Sequence, residues 1–176
     1  MHSSLLIEDD KWLSALGSDA EALVERVVSL TLSRTPELDD LLSGERMQLG
    51  LSVVLTNDSA IQELNKQFRT KDLPTNVLSF PAYDSVDELR NALAAPISDP
   101  MLEDSGYLGD LILARETILR EAMEQEKKLK DHFCHLLVHG TLHLLGYDHM
   151  ENDEADEMEA LEIDILKELS IANPYE

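Results

Sequence analysis

Five of the six histidines of this chain fall between His132 and His149, and that cluster constrains the fold and chemistry more than any other feature. Its central string is His139-Gly140-Thr141-Leu142-His143-Leu144-Leu145-Gly146-Tyr147-Asp148-His149. On an α-helix, residues four apart differ by about 40° in azimuth and lie roughly 6 Å apart, so His139 and His143 aim their imidazoles at one point. Gly146 is the natural stop for such a helix, because glycine accepts the left-handed conformation that ends it. The chain then turns back and delivers His149 as a third ligand. Three nitrogen ligands match an open, catalytic type of zinc site, with one Zn2+ per chain expected and another divalent metal as the alternative. A structural site closed by thiolates is disfavoured, since the single cysteine, Cys134, sits at the wrong angle on the helix.

The plainer reading keeps these histidines as polar side chains of a packed helix, and it weighs most for His132 and His135. His135 and His139 are also four apart, but only His139 and His143 have a helix stop and a further histidine behind them. His135 is therefore expected in the core or as a support behind a ligand, since ligating histidines need such partners. The spacing also matches the zinc scaffold of metzincin peptidases, which carry glutamate directly after the first histidine as general base. Here that position is Gly140, so the peptidase mechanism loses its proton acceptor.

A second string is Phe68-Arg69-Thr70-Lys71-Asp72-Leu73-Pro74-Thr75-Asn76-Val77-Leu78-Ser79-Phe80-Pro81. The chain has 14 lysines and arginines against 36 acidic residues and a net charge of −22. Against that background Lys66, Arg69 and Lys71 cluster and are candidates for holding phosphate, with Arg69 able to grip two oxygens at once. From charge alone, a solvated loop with ion pairs to Asp72 or nearby carboxylates is the better explanation. The overall charge excludes broad, non-specific coating of nucleic acid, so any such role rests on a local patch.

A chain of 176 residues is expected to form one domain over 1–176. Hydropathy patterning predicts strands at Leu5–Ile7, Leu49–Leu55, Val77–Phe80 and Leu108–Leu113. It predicts helices over 19–32, after an N-cap at Asn57 or Asp58, and over 114–129, 131–145 and 153–169. Residues 82–106 read as a long surface loop. The class is α/β (α+β): a small mixed sheet of about four strands with about five helices, and a metal site at the end of one helix. The N-terminus lacks a basic leader and no stretch reaches the ~18 apolar residues of a membrane helix, so a soluble, cytoplasmic protein with no membrane partner is expected.

Taken together, HGTLHLLGYDH and FRTKDLPTNVLSFP resemble the bacterial YbeY family of metal-dependent endoribonucleases, the rRNA maturation factors. LGDLIL and the acidic ENDEADEMEALE fit the same pattern, and the likeness spans roughly residues 60–169. Thr70 departs from the glycine common there. The resemblance implies a compact α/β fold and a metal, usually zinc, held by His139, His143 and His149. It assigns Arg69 a part in activity, facing the metal across a cleft, with Lys66, Arg69 and Lys71 at the substrate. It also implies single-stranded RNA or rRNA as substrate, and the small ribosomal subunit, ribosomal proteins and the GTPase Era as partners. A metal-activated water or a ribose 2′-OH would attack the RNA phosphodiester while Arg69 offsets phosphoryl charge. Asp148 would accept a proton, orient an imidazole or simply serve the turn. Two alternatives stay open: a ribosome-assembly or docking factor with a mainly structural metal, and a zinc hydrolase of another substrate.

Overall fold

The computed structural model describes residues 2–38, 48–94, 105–147 and 152–176. Its strands are β1 (His2–Ile7), β2 (Gln48–Thr56), β3 (Val77–Pro81) and β4 (Ser105–Ala114), in the sheet order β1-β2-β4-β3. β1 and β2 run parallel, as do β2 and β4, while β3 is antiparallel to β4 and forms an edge. The described helices are α1 (Lys11–Leu16), α2 (Ala20–Ser33), α3 (Asp58–Arg69), α4 (Val86–Ala94), α5 (Arg115–Glu124), α6 (Leu129–Leu144) and α7 (Asn152–Glu168). The mixed α/β class and the four strands are as expected. The helices number seven among the described residues, where about five were expected.

The two additional helices have separate causes. α1 is six residues long, too short for a helical period to register in the sequence. It is held by Trp12, whose Nε1 donates to the Thr56 carbonyl at 2.8 Å and whose ring lies 5.4 Å from that of Phe133. α4 corrects the expected loop over 82–106. Ser85-Val86-Asp87-Glu88 has the capping-box sequence: the Glu88 N–H donates to Ser85 Oγ at 3.2 Å, while the Glu88 carboxylate reaches one residue farther back and accepts from the Asp84 N–H at 2.8 Å. Leu89 then buries itself in the core. Ser105 and Gly106, also expected in the loop, already belong to β4, and 95–104 lie outside the described residues.

Successive strand residues face opposite sides of a sheet, and here the two sides differ. One side carries Leu51, Val53 and Leu55 of β2 and Leu111 and Leu113 of β4 into the main core, closed by α1, α2, α6 and α7. α6 is buried on most sides through Phe133, Leu136, Leu137, Val138 and Leu142, as a central helix must be. Cys134 lies there too, its thiol pushed up to about 12 chiefly by burial, so it is inert at neutral pH. A smaller cluster of Ile61, Leu78 and Ala114, with Leu64, Phe80 and Ile112 against it, seats α3 on the opposite side. The start of α3 is capped by the Asn57 side chain, which accepts from the Ala60 N–H at 3.1 Å. β3 is short and ends at Pro81, and proline is tolerated at a sheet edge because it has no N–H to pair. Among the described residues no helix is long and apolar enough to cross a membrane.

Candidate metal centre

The geometry begins where α6 stops. Gly146 takes φ +85°, its N–H donates to the His143 carbonyl at 3.1 Å, and the Tyr147 N–H donates to the Leu142 carbonyl at 3.2 Å. This is a Schellman turn, the ending that glycine permits. It throws the Tyr147 carbonyl back to His143, whose Nδ1 lies 2.8 Å from it. A carbonyl only accepts, so His143 carries its proton on Nδ1 and presents a lone pair at Nε2.

One turn earlier, His139 Nδ1 lies 2.8 Å from Oε1 of Glu162 on α7. Glu162 has no solvent exposure. Burial pushes its carboxyl up, but hydrogen bonds from His135, His139 and the Tyr175 hydroxyl outweigh that cost and hold it at about 2. Glu162 is therefore an ionised acceptor, and His139 also keeps its proton on Nδ1. The two Nε2 atoms, of His139 and His143, stand 3.0 Å apart with their rings at 86°.

Two lone pairs at that separation repel each other unless a proton or a cation lies between them. Two nitrogens bound to one tetrahedral zinc at about 2.0–2.1 Å would be about 3.3 Å apart, so this donor pair fits such an ion. His149, the expected third ligand, and Asp148 lie outside the described residues. Among the described residues alone, no three His, Cys, Asp or Glu side chains are gathered for a metal.

His135 stands behind this pair. Its Nε2 is 2.9 Å from the second oxygen of Glu162, and its ring lies 5.6 Å from that of Tyr175. His132 Nε2 is 2.9 Å from Glu121, which also accepts from the Asn76 side chain at 3.1 Å. Burial raises the Glu121 carboxyl, yet the bonds from His132 and Asn76 leave it lowered overall. That network ties α6 to the segment leading into β3. Glu162 and Tyr175 escaped the sequence reading. The signal for Glu162 was a carboxylate set among the apolar positions Met158, Leu161 and Ile165 of one helix face, where burial demands a partner.

Gly140 has a packing reason. A Cβ there would lie 2.9 Å from Leu111 Cδ2, 3.3 Å from Ser79 Oγ and 3.4 Å from Val77 Cγ2. The position that carries the base of metzincin peptidases is pressed against the sheet in this chain. Ser79 joins the two sides of the site. Its hydroxyl donates to the Gly140 carbonyl at 3.4 Å, and its own carbonyl accepts from Arg69 Nη2 at 3.2 Å. Arg69, at the end of α3, is thus anchored on the edge strand that borders the histidine turn. Lys66 lies instead 2.6 Å from Asp72 on the surface, and Lys71 is exposed. Thr70, which follows Arg69, sits at φ +59°, a left-handed conformation that costs a β-branched residue about 1–2 kcal/mol and costs glycine nothing.

The profile of the family described as "Endoribonuclease YbeY" matches residues 8–170. The chain belongs to the endoribonuclease YbeY family. It is 54% identical over 125 residues to endoribonuclease YbeY of Parvibaculum lavamentivorans, covering 71% of this chain and 64% of that protein. It is 46% identical over 166 residues to endoribonuclease YbeY of Paramagnetospirillum magneticum, covering 93% and 89%. The solution structure of TM1509 from Thermotoga maritima matches at 20% identity and a TM-score of 0.47, over 96% of this chain and 92% of that one. Membership in the YbeY family makes the activity that of an endoribonuclease and the substrate class RNA.

Proposed function

We propose that this chain is a metal-dependent, single-strand-specific endoribonuclease of small-subunit rRNA maturation and ribosome quality control, working in the cytoplasm. The observation that carries the metal is the facing pair of Nε2 lone pairs of His139 and His143, 3.0 Å apart, each fixed by a partner at Nδ1. His139 and His143, with His149, would hold Zn2+. Bound there, the ion supplies Lewis acidity and activates the nucleophile.

The residues of the chain do the rest. Glu162 holds the proton of His139 on Nδ1 and so makes Nε2 the nitrogen that would bind the metal. The Tyr147 carbonyl does the same for His143. Arg69 spends one N–H on the Ser79 carbonyl and retains other guanidinium donors for phosphoryl oxygens, where it offsets the charge that builds during displacement. Lys71, exposed just beyond Thr70, adds positive charge for the RNA backbone, whereas Lys66 is engaged by Asp72. With a net charge of −22, the chain attracts RNA only locally. That supports delivery by a partner: the small ribosomal subunit, its ribosomal proteins and the GTPase Era are the proposed ones, on the strength of the family resemblance.

The same acidity favours the second reading, a ribosome-docking factor with a structural metal. Arg69→Ala separates the two. Arg69 is exposed and contributes one surface hydrogen bond, so the variant should melt within a degree or two of wild type. Cleavage of a labelled single-stranded RNA should fall by about 10²–10³, the usual loss when one charge-stabilising donor is removed. Unchanged cleavage would remove Arg69 from the chemistry. No cleavage by either protein, together with unfolding on chelation, would establish the docking factor.

A further inference from the structure

Large apolar side chains of this protein are mostly buried, yet Phe68 is 55% exposed and Leu73 is 69% exposed. Phe68 is the last residue but one of α3, next to Arg69. Its ring is held in place by an edge-to-face contact with Phe80, with centroids 5.2 Å apart and planes at 74°. Phe80 in turn packs on the cluster of Ile61, Leu78 and Ala114. Phe80 also follows Ser79, whose carbonyl anchors Arg69. A rigid, half-exposed aromatic ring and a guanidinium are thus gathered at the open edge of β3, whose other neighbour is the histidine turn of α6.

We propose that Phe68 is a stacking platform for a base of the single-stranded RNA substrate, beside the phosphate that Arg69 holds. The inference rests on the endoribonuclease reading and names a substrate contact within it. α3 lies on the opposite side of the sheet from α6, and Arg69 reaches the edge between them. RNA crossing that edge presents a phosphate to Arg69 and its neighbouring base to Phe68. Lys71, exposed just beyond Thr70, adds local attraction for the backbone, while the charge of Lys66 is taken up by Asp72. Stacking is indifferent to the net charge that handicaps this protein, and it tolerates any base. It also selects single strands, because the bases of a duplex keep their faces stacked on one another.

The test uses the metal-loaded chain and a short 2′-O-methyl RNA strand carrying 2-aminopurine, which reports stacking by quenching. Wild type and Phe68→Trp should bind and quench alike. Phe68→Leu should bind about 5- to 150-fold more weakly, the span for losing one base–aromatic stack, with quenching lost and the melting temperature unchanged. With cleavable RNA the loss should appear in KM rather than in kcat, as for a contact made equally in ground and transition states. Equal binding and quenching by Phe68→Leu would overturn the proposal. Equal loss by Phe68→Trp and Phe68→Leu would overturn it as well. Failure of wild type to bind or cut any single-stranded RNA would defeat the endoribonuclease reading itself and the platform with it.

Discussion

Replacing Glu162 with alanine is expected to weaken zinc binding by about 10- to 100-fold and to cost about 1–3 kcal/mol of folding stability. Glu162 is the hub of the buried network: it is fully enclosed and receives His135, His139 and Tyr175 together. Alanine leaves those three donors without their acceptor; the half-buried His135 and His139 carry most of the desolvation cost, while the exposed Tyr175 can turn its hydroxyl to water. It also frees His139 to move its proton to Nε2, which removes the lone pair the metal needs. Glu162→Gln isolates the second effect. The amide keeps the volume and one acceptor oxygen but turns an N–H₂ toward the other partners. Its zinc affinity should fall with a smaller loss of stability. Competition against a chromophoric chelator gives the affinity, and urea unfolding gives the stability. Zinc affinity unchanged in Glu162→Gln would show that the carboxylate does not set the state of His139.

Gly140→Glu should be the other severe change, costing at least about 3 kcal/mol through overpacking and burial of a charge. The new Cβ would start 2.9 Å from Leu111 Cδ2, with Ser79 and Val77 closing the sides. The substitution restores the metzincin spacing of histidines and glutamate, yet it should yield an unstable protein with no peptidase activity. Gly140→Ala should be much milder, because alanine gains about 1 kcal/mol of helix propensity over glycine against the same crowding. Both are read by urea unfolding of the purified variants. Wild-type stability in Gly140→Glu would mean that α6 does not press on the sheet at this point.

The parts of the site that were legible in the sequence are the parts that are local in it. His139, His143 and Gly146 lie within one helix and its stop, so helical geometry alone brings them together, and the structure places them so. Glu162 reaches His139 across 23 positions, a contact that depends on how α7 packs against α6 and on no period within either helix. Tyr175 meets Glu162 from beyond the end of α7, a contact that likewise follows no helical period. The anchoring of Arg69 on Ser79 required knowing that β3 is an edge strand, and strand order is set by tertiary packing. α1 was too short to leave a period. α4 did leave a capping-box sequence at Ser85 and Glu88, which was outweighed by the prolines and carboxylates around it. The basic cluster behaved as separate side chains: Lys66 is paired with Asp72, and Arg69 is held on a strand edge.

The most direct measurement compares wild type with His139→Ala, purified identically, for zinc content and for cleavage of a labelled single-stranded RNA. Metal and cleavage should disappear together while the variant stays folded by circular dichroism. Equal cleavage by the two preparations, or full activity in a variant without metal, would contradict the proposed metal centre.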